Sequence, residues 1–185
     1  LGPRPIDLHL AALRALGADI DDTGGTLRCR ARRLTGCQIV LATPSVGATE
    51  NAMLAACGAE GETVICNAAR EPEICDLAAF LRKCGAKISG EGESTIRIEG
   101  TERLHGCVHA IMPDRIAGIT YLGAAAITGG TLCLKGTDAQ PMENMLPTLE
   151  QMGCRLYPEP DRLHLLAPRR LRAVPFLRTM PHPGF

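Results

Sequence analysis

The stretch Leu81-Arg82-Lys83-Cys84-Gly85-Ala86-Lys87-Ile88 decides the fold, because the chain repeats its pattern twice at equal spacing. One further copy lies at residues 13–20 (LRALGADI) and the other at residues 149–156 (LEQMGCRL). The aligned glycines Gly17, Gly85 and Gly153 are 68 residues apart in both intervals (85 − 17 and 153 − 85). Such equal spacing predicts a supersecondary unit of about 68 residues that occurs more than once.

The same local pattern surrounds each of these glycines. An amphipathic helix ends at the glycine, a residue suited to the left-handed position that follows a helix. A short strand, a polar turn and an alternating strand come next, which predicts a β-hairpin. The turns are predicted at residues 22–25, 90–93 and 158–161, and the second strands at residues 26–30, 95–99 and 162–166.

The rest of the unit repeats as well. Leu34-Thr35-Gly36-Cys37 matches Leu104-His105-Gly106-Cys107, and we predict a strand after each of them, followed by a proline. Helices rich in small residues are predicted near residues 46–59 and 117–128, and apolar strands open 68 residues apart at Thr63 and Thr131 (131 − 63). The unit is therefore β-α-β-α-β-β, and its Ala- and Gly-rich helices indicate helices buried inside a ring of sheets.

The two ends of the chain fall inside repeat units. Leu1 lies just before a predicted helix, and Phe185 lies where the next small-residue helix should begin. We therefore expect a piece of a longer protein, with the repeats incomplete at both ends.

Composition argues against nucleic-acid and membrane partners. Lys plus Arg equals Asp plus Glu at 20 each, and aromatic residues make up only 3% of the chain, without Trp. Neither a general attraction to polyanions nor a platform for stacking bases is expected. Residues 116–134 carry no charge over a membrane-spanning length, but Gly129-Gly130 predicts a buried helix, a turn and a buried strand instead.

The nine cysteines contain no CxxC pair, so neither a zinc site nor a redox motif is indicated. We interpret them as small core residues of a protein from a reducing cytoplasm. No metal and no cofactor is expected.

Two loops that precede helices have residues suited to anions. Arg4, among the prolines of residues 2–8, presents a forked cation at a helix start, although a solvated arginine is the alternative. In residues 43–51, Ser45 is a plausible N-cap, and Val46 and Gly47 offer free N–H groups that can hold a phosphate. A plain capped helix is the alternative there.

A third loop, residues 67–74, places Glu71 and Glu73 at the start of a helix predicted near Pro72. Two carboxylates two residues apart do not face each other on a helix, so we interpret them as helix-start charges or hydrogen-bond anchors. His109 and His164 alternate within predicted strands and are assigned structural roles. No readable Ser-His-Asp arrangement and no nucleotide-binding glycine motif is present.

Together these loops resemble the UDP-N-acetylglucosamine 1-carboxyvinyltransferases, a family of enolpyruvyl transferases. The resemblance runs through the whole chain in order and rests on residues 4–9 (RPIDLH), 45–51 (SVGATEN), 67–74 (NAAREPEI), 103–106 (RLHG) and 113–116 (PDRI). It implies the α/β prism, or inside-out α/β barrel, in which each of two domains holds three such units. Residues 1–185 would form most of one domain, with the substrates bound in the cleft beside the second domain, which is expected as a partner.

The resemblance also implies a function. Family members transfer the enolpyruvyl group of phosphoenolpyruvate to the 3′-hydroxyl of UDP-N-acetylglucosamine, the first committed step of peptidoglycan precursor synthesis in the bacterial cytoplasm. The implied substrate-binding residues are Arg4, Pro5, Ile6, Asp7 and Leu8 toward the uridine, with Arg4 also toward the phosphoenolpyruvate phosphate, and Ser45, Val46 and Gly47 toward the diphosphate; Glu71, Glu73, Asp114 and Arg115 are anchors. No catalytic residue is expected among residues 1–185, because the reactive cysteine loop would lie before Leu1.

Two departures from the family pattern keep alternatives open. Thr43 stands where the family often has a lysine, and residues 117–120 (AGIT) stand where it tends to have Glu-Thr-Gly-Thr. A non-catalytic paralogue that binds a nucleotide sugar is one alternative. A 5-enolpyruvylshikimate-3-phosphate synthase-like transferase on the same fold is the other, although the motifs at residues 45–51 and 67–73 favour the nucleotide-sugar enzyme.

Overall fold

The computed structural model describes residues 5–184, which form five α-helices and nine β-strands. The helices are α1 (Asp7–Ala15), α2 (Val46–Ala56), α3 (Pro72–Lys83), α4 (Arg115–Ile127) and α5 (Leu146–Gln151). The strands are β1 (Asp19–Asp21), β2 (Arg28–Arg30), β3 (Gln38–Val40), β4 (Glu62–Cys66), β5 (Lys87–Ser89), β6 (Thr95–Glu99), β7 (Thr131–Lys135), β8 (Arg155–Glu159) and β9 (Arg162–Leu166). Two compact units, Leu1–Ala110 and Ile111–Phe185, divide the chain.

The first unit contains one complete copy of the predicted β-α-β-α-β-β repeat, from β3 to β6. Its sheet has the strand order β3-β4-β6-β5, in which β3 runs parallel to β4 and the other pairs are antiparallel. The preceding hairpin, β1 and β2, forms a separate two-stranded sheet. The parallel pair with α2 as its crossover is the arrangement that a β-α-β sequence pattern predicts.

Helix α2 lies in the core of the first unit, as its small residues predict. Ala48, Thr49, Ala52, Met53 and Ala56 are all fully buried. Except for Met53, these residues are alanine or threonine and have small side chains. Neighbouring elements can therefore approach the helix closely from several sides. The Ala-rich composition of α2 therefore reflects burial between elements and not a solvent-exposed helix.

The second unit repeats the arrangement of the first. Its sheet has the order β7-β9-β8, which corresponds to β4-β6-β5. The strand register is also the same in both units. Thr63 pairs with Ile98 in the first unit, and the residues 68 positions later, Thr131 and Leu166, pair in the second (131 − 63 and 166 − 98). The core beneath the second sheet contains Leu122 of α4. The predicted repeat is thus confirmed at the level of strand pairing.

The three marker glycines adopt the predicted backbone. Gly17, Gly85 and Gly153 have φ angles of 100°, 102° and 98°, a left-handed region that residues with a side chain rarely adopt. Each follows a helix that ends within two residues of it. This conformation turns the chain from the helix into the next strand, which explains why glycine occurs at the same place in every copy.

Several predicted boundaries were wrong by small amounts. The second strand of the first hairpin is only Arg28–Arg30, because Thr23–Gly25 form a 3₁₀ turn before it. The turn of the third hairpin is only Pro160-Asp161, since β8 extends to Glu159. The uncharged stretch from residue 116 is α4, a turn and β7, as predicted, and no helix among residues 5–184 has the length and apolarity needed to cross a membrane.

One predicted strand was wrong in kind. Residues 107–114, where a strand was expected after Leu104-His105-Gly106-Cys107, are not assigned to any strand. The residues there do alternate as in an extended chain, but this chain packs against a helix and not against another strand. We call residues 101–110 the flanking segment, because it lies along α3 within the first unit.

The flanking segment runs antiparallel to α3 and contacts it at regular intervals. The N–H of His105 donates to the carbonyl of Cys84 at 3.0 Å, the Cys107 and Cys84 sulfurs are 3.5 Å apart, and Nε2 of His109 lies 3.0 Å from Oδ1 of Asp76. Two residues of an extended chain advance by about 6.6 Å, and four residues of a helix by about 6 Å. The alternate side chains therefore meet successive turns of α3, a helix contact that produces the same period as a strand.

Candidate functional site

The candidate site begins at the N-terminus of α2. Ser45 is extended (φ −125°, ψ 119°), and its Oγ accepts a long hydrogen bond of 3.4 Å from the N–H of Ala48, so it is the N-cap that the sequence predicts. The N–H groups of Val46 and Gly47 lie in the first turn and have no acceptor within the helix. This end of α2 therefore carries partial positive charge.

The start of α1 lies directly beside the start of α2. A Cβ atom placed on Gly47 would come 3.0 Å from Cε1 of His9, so the imidazole rests against the glycine. The side-chain amide of Asn51 donates to Nδ1 of His9 across 2.7 Å. One turn of each helix is thus joined to the other by a hydrogen bond and a close packing contact.

The predicted uridine-facing residues fall at this junction. Leu8 is half-buried and packs, like Val46, against the core of the first unit. Pro5, Ile6 and Asp7 are exposed, and Asp7 opens α1. Arg4, predicted as the anion-binding cation of this loop, lies outside the described residues.

A buried hydrogen bond supports α2 from the other side. Oγ1 of Thr49, which is fully buried, accepts from the N–H of Ala69 at 3.0 Å. Asn67 adopts a left-handed φ of 56°, and its amide donates to the carbonyl of Leu41 at 2.8 Å. The loop that precedes α3 is thereby held against α2, so the site rests on fixed backbone.

Two carboxylates lie near each other on this side of the unit. Burial raises the pKa of Glu50, the negative charge of Glu73 raises that pKa further, and the neighbouring His9 lowers it. Glu73 lies in the first turn of α3, as the sequence predicts. The chemical consequence is a carboxyl group, next to the exposed end of α2, that is easier to protonate than a free glutamate.

The remaining predicted anchors make local contacts. Oε2 of Glu71 accepts from the N–H of Arg70 at 2.9 Å, and Nε of Arg70 donates to the carbonyl of Gly92 at 2.9 Å, which ties the loop to the β5–β6 turn. In the second unit, Oδ1 of Asp114 accepts from the N–H groups of Ile116 and Ala117 and so caps α4. Arg115 is the first residue of α4.

A surface depression of the first unit lies away from this junction. It has a volume of about 300 Å³ and runs over β5 and β6. Its charges are neutralised by ion pairs, with Lys87 2.8 Å from Glu99 and Arg97 3.5 Å from Glu62. Because cations and carboxylates there already face one another, it offers no unpaired charge to a ligand. Among residues 5–184, no three His, Cys, Asp or Glu side chains are arranged to hold a metal ion.

The sequence interpretation missed the residues that organise the site. His9 and Asn51 were noted only as parts of motifs, although they join the two helix ends. Thr49 and Asn67 hold the supporting loop. A threonine within an Ala-rich helix was the one available signal, because a hydroxyl in a buried helix needs a partner.

The repeated β-α-β-α-β-β unit, with an anion-suited helix start beside a second helix, defines the class of enolpyruvyl transferases. The crystal structure of the enolpyruvyl transferase NikO from Streptomyces tendae matches with a TM-score of 0.84 at 25% identity, over 100% of this chain and 47% of that one. The family described as EPSP synthase (3-phosphoshikimate 1-carboxyvinyltransferase) matches residues 1–185. The chain therefore belongs to this family.

Curated relatives share almost half of its residues. A protein named UDP-N-acetylglucosamine 1-carboxyvinyltransferase 1 from Symbiobacterium thermophilum is 48% identical over 100% of this chain and 42% of its own length. A UDP-N-acetylglucosamine 1-carboxyvinyltransferase from Nitratidesulfovibrio vulgaris is 49% identical over 100% of this chain and 44% of its own length. The chain thus spans less than half the length of these relatives.

Proposed function

We propose that this chain is the nucleotide-sugar-binding part of an enzyme that transfers the enolpyruvyl group of phosphoenolpyruvate to the 3′-hydroxyl of UDP-N-acetylglucosamine. Phosphate is released, and the product enters peptidoglycan synthesis. The names of relatives that are 48% and 49% identical support the substrate pair. The observation that carries the proposal is the junction of Gly47 with His9, which brings the free N–H groups of α2 beside the start of α1.

The diphosphate of the nucleotide sugar would bind at the N-terminus of α2. The N–H groups of Val46 and Gly47 and the helix dipole both favour a doubly charged anion at this point. The exposed residues Pro5, Ile6 and Asp7 begin α1 next to it and would hold the uridine. A base and its diphosphate are separated by one ribose, so adjacent helix ends suit a nucleotide.

In this proposal the chain binds and orients, and residues outside it carry out the addition and elimination at the enolpyruvyl group. A second domain of the same protein would close the cleft from the other side. Fixing the diphosphate positions the sugar hydroxyl for attack, and such positioning contributes a large part of the rate enhancement. Arg4 would bind the phosphate of phosphoenolpyruvate, for which a forked permanent cation is suited.

We further propose a cytoplasmic location and a role in cell-wall biogenesis, and through it in cell shape and division. The cysteines support the location. All nine lie among the described residues as free thiols, which is typical of a reducing compartment.

Charge substitution at the N-cap tests the diphosphate site. Ser45→Asn and Ser45→Asp both keep a good N-cap of nearly equal size, and they differ by one negative charge. Calorimetric titration with UDP-N-acetylglucosamine should give affinity near wild type for Ser45→Asn and at least about tenfold weaker affinity for Ser45→Asp, because the added charge repels the diphosphate. Equal affinities for the two variants would contradict the proposal.

A non-catalytic paralogue that binds a nucleotide sugar is the second candidate. Thr43 and residues 117–120 favour it, because they replace family residues. Binding of UDP-N-acetylglucosamine without phosphate release by the complete protein would support the paralogue. Binding of shikimate 3-phosphate instead would favour the third candidate, an EPSP synthase-like transferase.

A further inference from the structure

Two thiols of the first unit face each other at the C-terminal end of α3. Cys84 is the residue that caps α3, and Cys107 lies in the flanking segment. Their Sγ atoms are 3.5 Å apart, and the Cys107 sulfur lies 3.9 Å from the carbonyl of Phe80. Both are free thiols separated by 23 positions in the chain, so no short sequence motif reveals the pair.

Backbone hydrogen bonds before Cys107 and side-chain contacts after it hold Cys107 in this place. The N–H of Thr101 donates to the carbonyl of Cys57 at 2.9 Å, and the N–H of His105 donates to the carbonyl of Cys84 at 3.0 Å. Beyond Cys107, His109 bonds to Asp76 and packs edge-on against the ring of Phe80, with 5.7 Å between ring centroids. The thiol contact is therefore part of a continuous docked segment and not an accident of one flexible side chain.

We propose that Cys84 and Cys107 are a redox-modifiable dithiol, which a peroxide closes to a disulfide that locks the flanking segment onto α3. The sulfurs are roughly 1.5 Å further apart than in a disulfide, a gap of the size that side-chain rotations can close. A disulfide here would add a covalent restraint to a segment that is otherwise held by hydrogen bonds and the packing of His109 on Phe80.

The two cysteines differ in solvent exposure and therefore have different roles in the reaction. Cys107 is half-exposed, so its thiolate attacks one peroxide oxygen, the O–O bond breaks, and a sulfenic acid and one water form. The Cys84 sulfur then attacks the Cys107 sulfur and displaces the second water. In total the two thiols lose two protons and two electrons, which reduce the peroxide to two waters.

Burial explains why Cys84 serves as the resolving partner. Burial raises the pKa of the Cys84 thiol, and the neighbouring Cys107 raises that pKa further, so Cys84 reacts slowly with free oxidant. Its fixed position beside the oxidised Cys107 compensates, because a contact held in place replaces an encounter in solution. Cys57, although near Cys84, is 1% exposed and out of reach of a peroxide.

Tryptic mapping reads the proposed bond directly. Cleavage after Lys and Arg leaves Cys84 in the peptide of residues 84–87 and Cys107 in the peptide of residues 104–115, and neither peptide contains another cysteine. After brief peroxide treatment of the protein and alkylation of the remaining thiols, we expect these two peptides to appear joined, with the mass of two hydrogens lost. Dithiothreitol should separate them again.

Matched variants test which two cysteines form the disulfide. Cys107→Ser should abolish the joined peptide. Cys75→Ser removes a half-buried thiol of α3 and should leave the joined peptide unchanged. Hydrogen exchange of residues 104–110 should slow in the oxidised protein. Formation of a Cys57–Cys84 link, or oxidation of Cys107 to its sulfinic acid without the link, would overturn the proposal.

Discussion

Nδ1 of His9 accepts a hydrogen bond from the side-chain amide of Asn51 across 2.7 Å, although the two residues are 42 positions apart in the chain. This contact joins the first turn of α1 to the second turn of α2. The two loops that the sequence singled out as ligand-binding, residues 2–8 and 43–51, lead into the two helices. Their relative position therefore depends on this junction, and substitutions that disturb it should affect binding more than folding.

Gly47→Ala should weaken UDP-N-acetylglucosamine binding by about fivefold, which corresponds to ~1 kcal/mol. The added Cβ would lie 3.0 Å from Cε1 of His9, so the imidazole must shift and its hydrogen bond to Asn51, which holds the two helix starts together, is weakened. Calorimetric titration measures the affinity.

Gly58→Ala is the matched control for this change. Gly58 is exposed, and a Cβ there would meet only the carbonyl oxygen of Ala55, at 4.0 Å. Its affinity should equal that of the wild type. If both glycine variants bound equally well, the His9 junction would have no part in ligand binding.

Glu50→Gln should stabilise the protein at neutral pH and lose this effect in acid. Burial and the charge of Glu73 raise the pKa of Glu50 above the ordinary value of 4.5, so the folded state holds this proton more tightly than the unfolded state does. The stability that protonation gives is complete below pH 4.5 and is lost as the pH rises through the raised pKa. Glutamine resembles the protonated form at every pH.

Urea unfolding at several pH values measures the effect of Glu50→Gln. The gain in unfolding free energy over wild type should be largest near pH 7 and should shrink below pH 4.5. In a Glu73→Gln background the gain should be smaller, since one source of the raised pKa is gone. A gain that stayed constant with pH would contradict the assigned cause.

Local geometry was predictable from the sequence where one residue type is strongly preferred. Gly17, Gly85 and Gly153 mark left-handed turns that other residues rarely adopt, so their spacing fixed both the repeat and the direction of the chain after each helix. Ser45 is a capping residue whose position before an apolar run predicts a helix start. These features depend on neighbours a few residues away.

Features that depend on distant partners were not predictable. Alternation from His105 to His109 predicted a strand, but period two reports only that one face of an extended chain is covered, and here α3 covers it. The Asn51 amide and the Thr49 hydroxyl likewise gave no indication of which residue they would meet. Pairing across 20 to 42 positions is settled by tertiary packing, which a single sequence does not state.

The 185-residue chain alone should release no phosphate from phosphoenolpyruvate and UDP-N-acetylglucosamine. It spans 42% of the length of a relative that carries the transferase name, and the proposed role of its residues is binding and orientation. A phosphate-release assay checks this, with calorimetric binding of UDP-N-acetylglucosamine to the same sample as the control for a folded site. Turnover by the chain alone would show that catalytic groups lie within it.

Two buried threonines provide a paired test of how the core around the site is held. Thr49→Val should lower the free energy of unfolding by about 1–3 kcal/mol, because it leaves the buried N–H of Ala69 without its acceptor. Thr63 is equally buried, but its Oγ1 has no hydrogen-bond partner among the described residues.

Thr63→Val should therefore leave the stability unchanged or raise it, since the hydroxyl loses its hydration on folding and gains nothing in return. Valine has nearly the shape of threonine, so neither variant opens a cavity, and urea unfolding compares the two hydroxyls directly. Equal losses in both variants would mean that Oγ1 of Thr63 is satisfied after all. Equal stability in both would mean that the Thr49–Ala69 bond does not hold the loop before α3 against α2.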